Sequence, residues 1–478
     1  MQSSRRARIV VLSAIVAVSL AARLGLLLQR PLWHDEIFTV WASRLPLPRL
    51  VEALRSDSGP PLFYALEGPF ARADASPRED PLVRILPFAV SLGLFFAARS
   101  LPRGLPRAWW IALCAGFALV NLYSAEARAY APLALAVLAA FVLGLVAPET
   151  PLRLGALFAC AAAALWLHYL ALLAVGAELL LALARRRGRS ALALAAALAA
   201  LGPWWPILVS QPPEAMAWLR EPTPRALLGF LSALGGVGRI PAPFADASSL
   251  GVLEAAGALV GVLLAVGVGL AARDDGRVRA AVLFVALVLA AALGASLWRP
   301  IAFAGRSETA ILPVWIWAVA LAAPGRRAVA AAAGTAVALG LVATILAATG
   351  PHPVSTASAA VERVSKLAHP GDTVLAGPGF YLPALLAADR GRLAADVAAL
   401  RPGDATHPGW FVAWPLRPED AAHAETTAAA IRPGGRLFLL LPPEYSQPEL
   451  MEPLARRGEL RELVRQKDGV LTVWAPKP

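Results

Sequence analysis

The sequence predicts an all-α polytopic membrane domain of about eleven transmembrane helices, followed by a small C-terminal α/β domain outside the bilayer. Three observations predict it. Of the 478 residues, 58% are hydrophobic and 16% are charged, with a mean hydropathy of +0.61. Soluble domains average about half apolar and a quarter charged. The apolar excess falls into separate blocks near the roughly 20 residues needed to cross a bilayer. Beyond residue 350, strand-like runs alternate with helical stretches, so the chain divides into residues 1–350 and 351–478.

The spans are expected near 9–28, 84–101, 108–123, 131–147, 154–167, 168–184, 191–209, 250–272, 280–297, 309–323 and 328–348. The first follows Arg5, Arg6 and Arg8, a signal-peptide-like beginning. It is long for a cleaved apolar region, and Gln29-Arg30-Pro31 offers no small-residue cleavage site, so a retained helix is predicted.

The formal charge of +12 would point to nucleic acid in a soluble protein. Here the arginines fall between apolar blocks: Arg103 and Arg107; Arg153; Arg185 to Arg187 with Arg189; Arg273, Arg277 and Arg279; Arg326 and Arg327. Every second connection is short and basic, which reports orientation in a membrane rather than nucleic acid. The N-terminus is then inside, and the long connections 29–82 and 210–249 and the tail are outside. Cys114 and Cys160 lie within apolar blocks and read as small buried residues.

In the first outer connection, Leu47, Leu50, Val51 and Leu54 follow helical spacing opposite Arg49, Glu52 and Arg55. This predicts a short amphipathic helix lying in the interface plane. In the tail, runs at Thr373, Trp410, Leu437 and Val470 are expected strands. Helices are expected near 355–368, 380–389, 418–431 and 447–465, giving a largely parallel sheet. Neither Gly377-Pro378-Gly379 nor Pro433-Gly434-Gly435 forms a phosphate loop, so no chemistry is assigned to the tail.

The spans read as purely apolar, while polar groups gather at one face. A transporter usually carries polar or broken helices at the midplane, so the asymmetry favours surface chemistry. Trp33-His34-Asp35-Glu36 follows the first span, and Asp57 precedes Pro60-Pro61-Leu62-Phe63-Tyr64. Ser124-Ala-Glu126-Ala-Arg128-Ala-Tyr130 joins the third and fourth spans, His168-Tyr169 the fifth and sixth, and Arg306 the ninth and tenth. Charged groups at a membrane boundary are costly unless paired or hydrated, so such a cluster marks a site. Singly, His168-Tyr169 also reads as an interfacial anchor, and Arg128 or Arg306 as a headgroup contact. Adjacent Asp35 and Glu36 repel each other, which calls for a cation, a base role or an acceptor between them.

These motifs, in this order, resemble the GT-C glycosyltransferases, in particular the bacterial branch similar to protein O-mannosyltransferases and lipid A aminoarabinose transferases (glycosyltransferase family 39-like). Ala217-Trp-Leu-Arg-Glu-Pro-Thr-Pro-Arg-Ala-Leu-Leu, and Arg306 before Leu312-Pro313, resemble further landmarks, so the likeness covers roughly 1–350. The resemblance implies a multi-pass enzyme of the bacterial inner membrane. It would use a polyprenyl-phosphate-linked sugar donor, an unidentified lipid, glycan or protein acceptor, and an acid of the first outer loop as general base. Carried over, Asp35 is the base, with Glu36 supporting it or binding metal. Asp57, Glu126, Tyr130, His168 and Tyr169 contact substrate, and Arg128 and Arg306 hold the carrier phosphate. A divalent metal ion, where one takes part, would sit on Asp35 and His168.

Two positions depart from the pattern. Gly59 stands where relatives often have His before the double proline, and Ser307 where an aromatic commonly follows the arginine. A sugar on polyprenyl phosphate already carries its leaving group and needs no nucleotide-binding domain. The chemistry then requires a base at one end and cations at the other. The alternatives are a lipid-linked oligosaccharide polymerase or ligase, a sugar-lipid transporter, and an inactive relative that binds a partner.

Overall fold

The computed structural model describes residues 2–55, 57, 59–73, 81–211, 223–241, 244, 250–350, 356–377, 379–400, 418–429, 434–441, 448–466 and 469–476. Helices α1 (Gln2–Gln29), α2 (His34–Arg44), α3 (Leu47–Arg55) and α4 (Leu62–Ala73) open the chain. They are followed by α5 (Ile85–Phe96), α6 (Leu105–Gly116), α7 (Ala118–Ser124), α8 (Tyr130–Phe141), α9 (Pro151–Leu167) and α10 (Leu170–Ala184). Then come α11 (Gly188–Ala199), α12 (Trp205–Ser210), α13 (Pro224–Leu234), α14 (Gly251–Ala271), α15 (Gly276–Ser296), α16 (Leu312–Ala322) and α17 (Arg327–Thr349).

All eleven expected spans are helical, but among the described residues only six helices are long and apolar enough to cross a membrane unaided. These are α1, Leu82–Ser100, Gly188–Ser210, α14, α15 and α17; the pair α6–α7, bent by 63°, would make a seventh. The helices around α8, α9, α10 and α16 are shorter. Helix α16 is buried on nearly every side, as expected of a helix apolar all round.

The bend corrects the reading of purely apolar spans. At Phe117 the helix breaks, and the Ala118 N–H donates to Gly236 O at 2.8 Å. A Cβ at Gly340 would lie 2.2 Å from Gly116 O, so that glycine lets α17 approach the break. Arg23 Nη2 donates to Cys114 O at 2.9 Å and Asn121 Nδ2 to Ala115 O at 2.8 Å, satisfying carbonyls that the break frees. Arg23 Nε also donates to Asn121 Oδ1 at 2.7 Å, Ser19 Oγ reaches the same oxygen at 3.1 Å, and Asn121 Nδ2 donates to Thr344 Oγ1 at 3.1 Å. A polar network thus sits among apolar helices because a broken helix needs partners.

Helix α3 forms as expected, with Leu50, Ala53 and Leu54 buried and Leu47 exposed. Its inner side packs on α2 and α12, so much of its apolar stripe faces protein rather than lipid.

The tail comprises α18 (Thr356–Leu367), β1 (Thr373–Ala376), α19 (Tyr381–Asp389), β2 (Asp396–Ala399), α20 (Pro418–Ala429), β3 (Leu437–Leu441), α21 (Pro448–Arg457), β4 (Gly458–Gln466) and β5 (Gly469–Pro476). The sheet order is β2-β1-β3-β5-β4. Strands β2, β1 and β3 are parallel, while β3, β5 and β4 are antiparallel, so the sheet is mixed rather than largely parallel. The helix expected over 447–465 ends at Arg457. Antiparallel pairing with β5, from Gly458↔Pro476 to Gln466↔Gly469, draws the following residues into β4. The expected strand at Trp410 lies outside the described residues. Apolar clusters cover both sheet faces, one including Val364 and Phe380, the other Leu450 and Leu454.

The tail docks on the membrane domain. Helix α19 packs on α2, Leu382 belongs to the main membrane-domain core, and Arg44 pairs with Asp389 at 3.3 Å.

Candidate active site

The site begins where α1 ends and α2 starts. Asp35 and Glu36 occupy the first turn of α2, where acids favour the helix dipole. Successive helical residues point about 100° apart, and these two take different environments.

Glu36 is wholly buried. Its carboxylate accepts from Arg84 Nε at 2.8 Å, Arg84 Nη2 at 2.7 Å, Arg30 Nη2 at 2.9 Å, the Ala127 N–H at 2.9 Å and the Trp33 N–H at 3.3 Å. Burial alone would raise its pKa, but Arg30, Arg84 and the Ala127 N–H hold it down, to about 2. Glu36 is therefore a closed ionic clamp joining α2 to the 125–129 turn. With its lone pairs taken, it faces neither an acceptor nor a metal ion.

Asp35 instead makes an ion pair with Arg306, Oδ2 to Nη1 at 3.1 Å, and both side chains keep some exposure. The Arg306 guanidinium lies 5.0 Å from the Trp33 ring centre and 5.5 Å from that of Phe303. Its backbone is set by Gly305, at φ +94°, where a Cβ would fall 2.3 Å from Arg239 O. The Gly305 N–H donates to both Glu308 oxygens at 3.0 and 2.9 Å, and Tyr123 Oη donates to Gly305 O.

A cavity of about 330 Å³ opens beside this pair. Asp57, Arg128, Tyr130, His168, Tyr169 and Arg306 line it, so six of the nine sequence-predicted residues converge there. Asp35, Glu36 and Glu126 are not in its wall. Asp35 borders it through Arg306, and Glu126 lies behind Trp33, whose Nε1 donates to Glu126 Oε1 at 3.1 Å. Burial pushes Glu126 up to about 7, against the pull of Arg306.

The cavity wall has two characters. Leu172, Leu173, Leu208, Ile301 and Phe303 form an apolar side. At the other side, the Arg128 guanidinium makes no hydrogen bond or ion pair with any described residue, although Asp35, Asp57 and Tyr64 lie within its electrostatic reach. Tyr64 Oη donates to Asp57 Oδ2 at 3.3 Å. A Cβ at Gly59 would approach Tyr64 Oη at 3.4 Å and Asp57 Oδ2 at 3.8 Å, so the missing side chain leaves this pair open to the cavity. His168 Nδ1 accepts from the Leu170 N–H at 3.1 Å, which leaves the ring proton on Nε2. Tyr130 lies 5.5 Å from the His168 ring, and Tyr169 Oη accepts from Trp204 Nε1 at 2.8 Å.

Among the described residues no three His, Cys, Asp or Glu side chains gather to hold a metal ion. Asp35 already carries Arg306 and His168 Nδ1 already accepts a hydrogen bond, so the expected pair does not fit a divalent cation.

Sequence reasoning missed Arg30 and Arg84, which clamp Glu36, and Arg299, Gln211 and Tyr64, which line the cavity. A signal was available for the arginines. Arg30 and Arg84 both stand apart from the short basic connections that alternate along the chain, so each asks for a local anion or ligand.

No protein-family model matches the chain, and no curated protein does. Solved structures do. ArnT from Cupriavidus metallidurans in the apo state is 14% identical, with a TM-score of 0.58, and the match covers 96% of this chain and 97% of that one. The same protein bound to undecaprenyl phosphate is 15% identical, with the same TM-score and coverage. Membrane domain and tail together, this chain has the GT-C fold of ArnT.

Proposed function

We propose that this chain is an inverting glycosyltransferase of the bacterial inner membrane. It would move a sugar from a polyprenyl-phosphate donor to a lipid, glycan or protein acceptor on the outer face. The observation that carries this reading is the Arg128 guanidinium, without a direct partner among the described residues, in a cavity that is otherwise lined largely by apolar side chains. A phosphate on an isoprenoid chain has both characters. The fold shared with ArnT, which has been solved bound to undecaprenyl phosphate, supports the same donor class.

In this reading the carrier phosphate lies against Arg128 and Arg306, and its first isoprene units lie along the leucine wall. Asp35 takes the proton of the acceptor hydroxyl. The oxygen attacks the anomeric carbon, the carbon–oxygen bond to phosphate breaks, and its electron pair leaves on the phosphate. One displacement inverts the anomeric centre. The departing phosphate gains charge, so the guanidinium contacts strengthen in the transition state. His168 Nε2–H and Asp57 with Tyr64 offer hydrogen bonds to sugar or acceptor hydroxyls. Glu36 positions Asp35 and the Arg128 turn, Glu126 steadies Trp33, and no step uses a metal ion. The outer-face location rests on the alternating arginine loops.

One observation favours a second assignment of the base: Asp57, not Asp35, is the acid in the cavity wall. Loss of a general base costs about 100- to 10,000-fold, so turnover of Asp35→Asn and Asp57→Asn decides between them. The function itself is tested in proteoliposomes with labelled prenyl-phosphate sugar. Labelled product on an added acceptor supports transfer of a single sugar, and growth of longer chains supports a polymerase. Label crossing the bilayer without product would make the chain a transporter, and neither outcome despite tight donor binding would make it an inactive binder.

A further inference from the structure

We infer that Arg306 is shared between donor and base, so that binding of the carrier phosphate unmasks Asp35 and the enzyme takes its donor first. This rests on the donor reading above. The geometry is that Arg306 lines the cavity while Asp35 does not, and the same guanidinium holds Asp35 Oδ2 at 3.1 Å. One oxygen of the base is therefore occupied by Arg306 in this arrangement. A phosphate is a competing partner that accepts from guanidinium in a fork. As Arg306 turns toward it, the Asp35 oxygen is released to an acceptor hydroxyl.

The surroundings suit such an exchange. Trp33 and Phe303 both present ring faces to the guanidinium, 5.0 and 5.5 Å from their centres, and attract the cation without taking up its N–H donors. Both rings belong to fixed elements. Trp33 is tied by its Nε1 to Glu126 and by its N–H to Glu36, and the Phe303 N–H donates to Ser307 Oγ at 2.8 Å. The Glu308–Gly305 bonds fix the backbone of the turn, so the exchange moves the arginine side chain on a fixed turn. Adjacent Glu36 cannot substitute, because Arg30 and Arg84 hold it whether or not an anion is present.

The test is a titration of undecaprenyl phosphate, without sugar, into the full-length chain in nanodiscs, read by calorimetry. If Asp35 competes for Arg306, Asp35→Asn and Asp35→Ala should each bind the lipid about fivefold tighter, the equivalent of one partly exposed ion pair. Removing a negative charge near an anion could tighten binding by repulsion alone, so the same substitutions are made on Arg306→Ala. There the gain should vanish, because no guanidinium remains to be released. An equal gain with and without Arg306 would overturn the exchange, as would unchanged or weaker binding by the Asp35 variants. No binding by the wild-type chain would overturn the donor reading itself, and this inference with it.

Discussion

Two arginines of the membrane domain, Arg23 and Arg128, show how burial and satisfaction separate structure from function. Arg23 lies within the first span, fully buried, and its nitrogens donate to Asn121, Ser91 and Cys114 O. Its charge is distributed over fixed acceptors, and it holds the break between α6 and α7. Arg128 sits on the turn that follows α7, partly exposed to the cavity, with no such bond. A costly group that is fully partnered builds the fold, and one held in place without a partner awaits a ligand.

That contrast breaks if the two sites respond alike. The largest effect is expected at Arg128: Arg128→Ala should lower turnover about 100- to 1,000-fold with the protein folded. Arg128→Lys should restore only part of it, because a point charge lacks the fork. Full activity in the lysine variant would reduce Arg128 to a headgroup anchor. Arg23→Ala should do the reverse. It takes the donor from Cys114 O and leaves Asn121 Oδ1 with Ser19 Oγ alone, at about 1–3 kcal/mol for the unsatisfied carbonyl. The melting temperature in detergent should fall, while turnover per folded molecule stays near wild type.

A smaller effect tests whether the tail tunes the site. Leu382→Ser weakens the packing of α19 on α2 and should reduce turnover by less than Arg128→Ala does. Undecaprenyl phosphate affinity should stay unchanged, because α19 packs on the acid-bearing helix and no described tail residue lines the cavity. A loss of affinity in folded protein would place the tail in the donor site.

The last effect, read on stability rather than turnover, concerns a buried acid beside the site. Glu67 is buried with both oxygens lacking a hydrogen bond, and burial, with Glu36 near, pushes it up to about 8. Its folded pKa lies above the unfolded value of about 4.3. The associated stability is thus full below the unfolded pKa and lost as pH rises through about 8. Glu67→Gln does not titrate, so its melting temperature should gain on wild type steadily from pH 5 to 8 and then level off. A pH-independent difference would show that Glu67 has found a partner.

Much of the site was legible before the fold. Asp57, Arg128, Tyr130, His168, Tyr169 and Arg306 stand out as polar residues in the connections between apolar spans, and the cavity gathers all six. Arg30 and Arg84 stand apart from the alternating basic connections, and only packing shows that their shared anion is Glu36. Glu36 looked chemical beside Asp35, and only its five donors reveal a clamp. Strand β4 was misread as helix because Leu460, Leu463 and Val464 also fit helical spacing, and pairing with β5 decided between the two.

The sequence by itself determined the apolar blocks, the helices within them, the separate tail and the polar face of the membrane domain. Each follows from local hydropathy and spacing, which sum along a segment whatever it later touches. Only the tertiary structure decided that α6 and α7 bend around Arg23, that the tail rests on α2, and that Asp35 faces Arg306 while Glu36 faces Arg84. These outcomes depend on partners far apart in the chain, such as Glu36 and the Ala127 N–H or Asp35 and Arg306. A buried charge is settled by whichever donors the packed helices bring within about 3 Å.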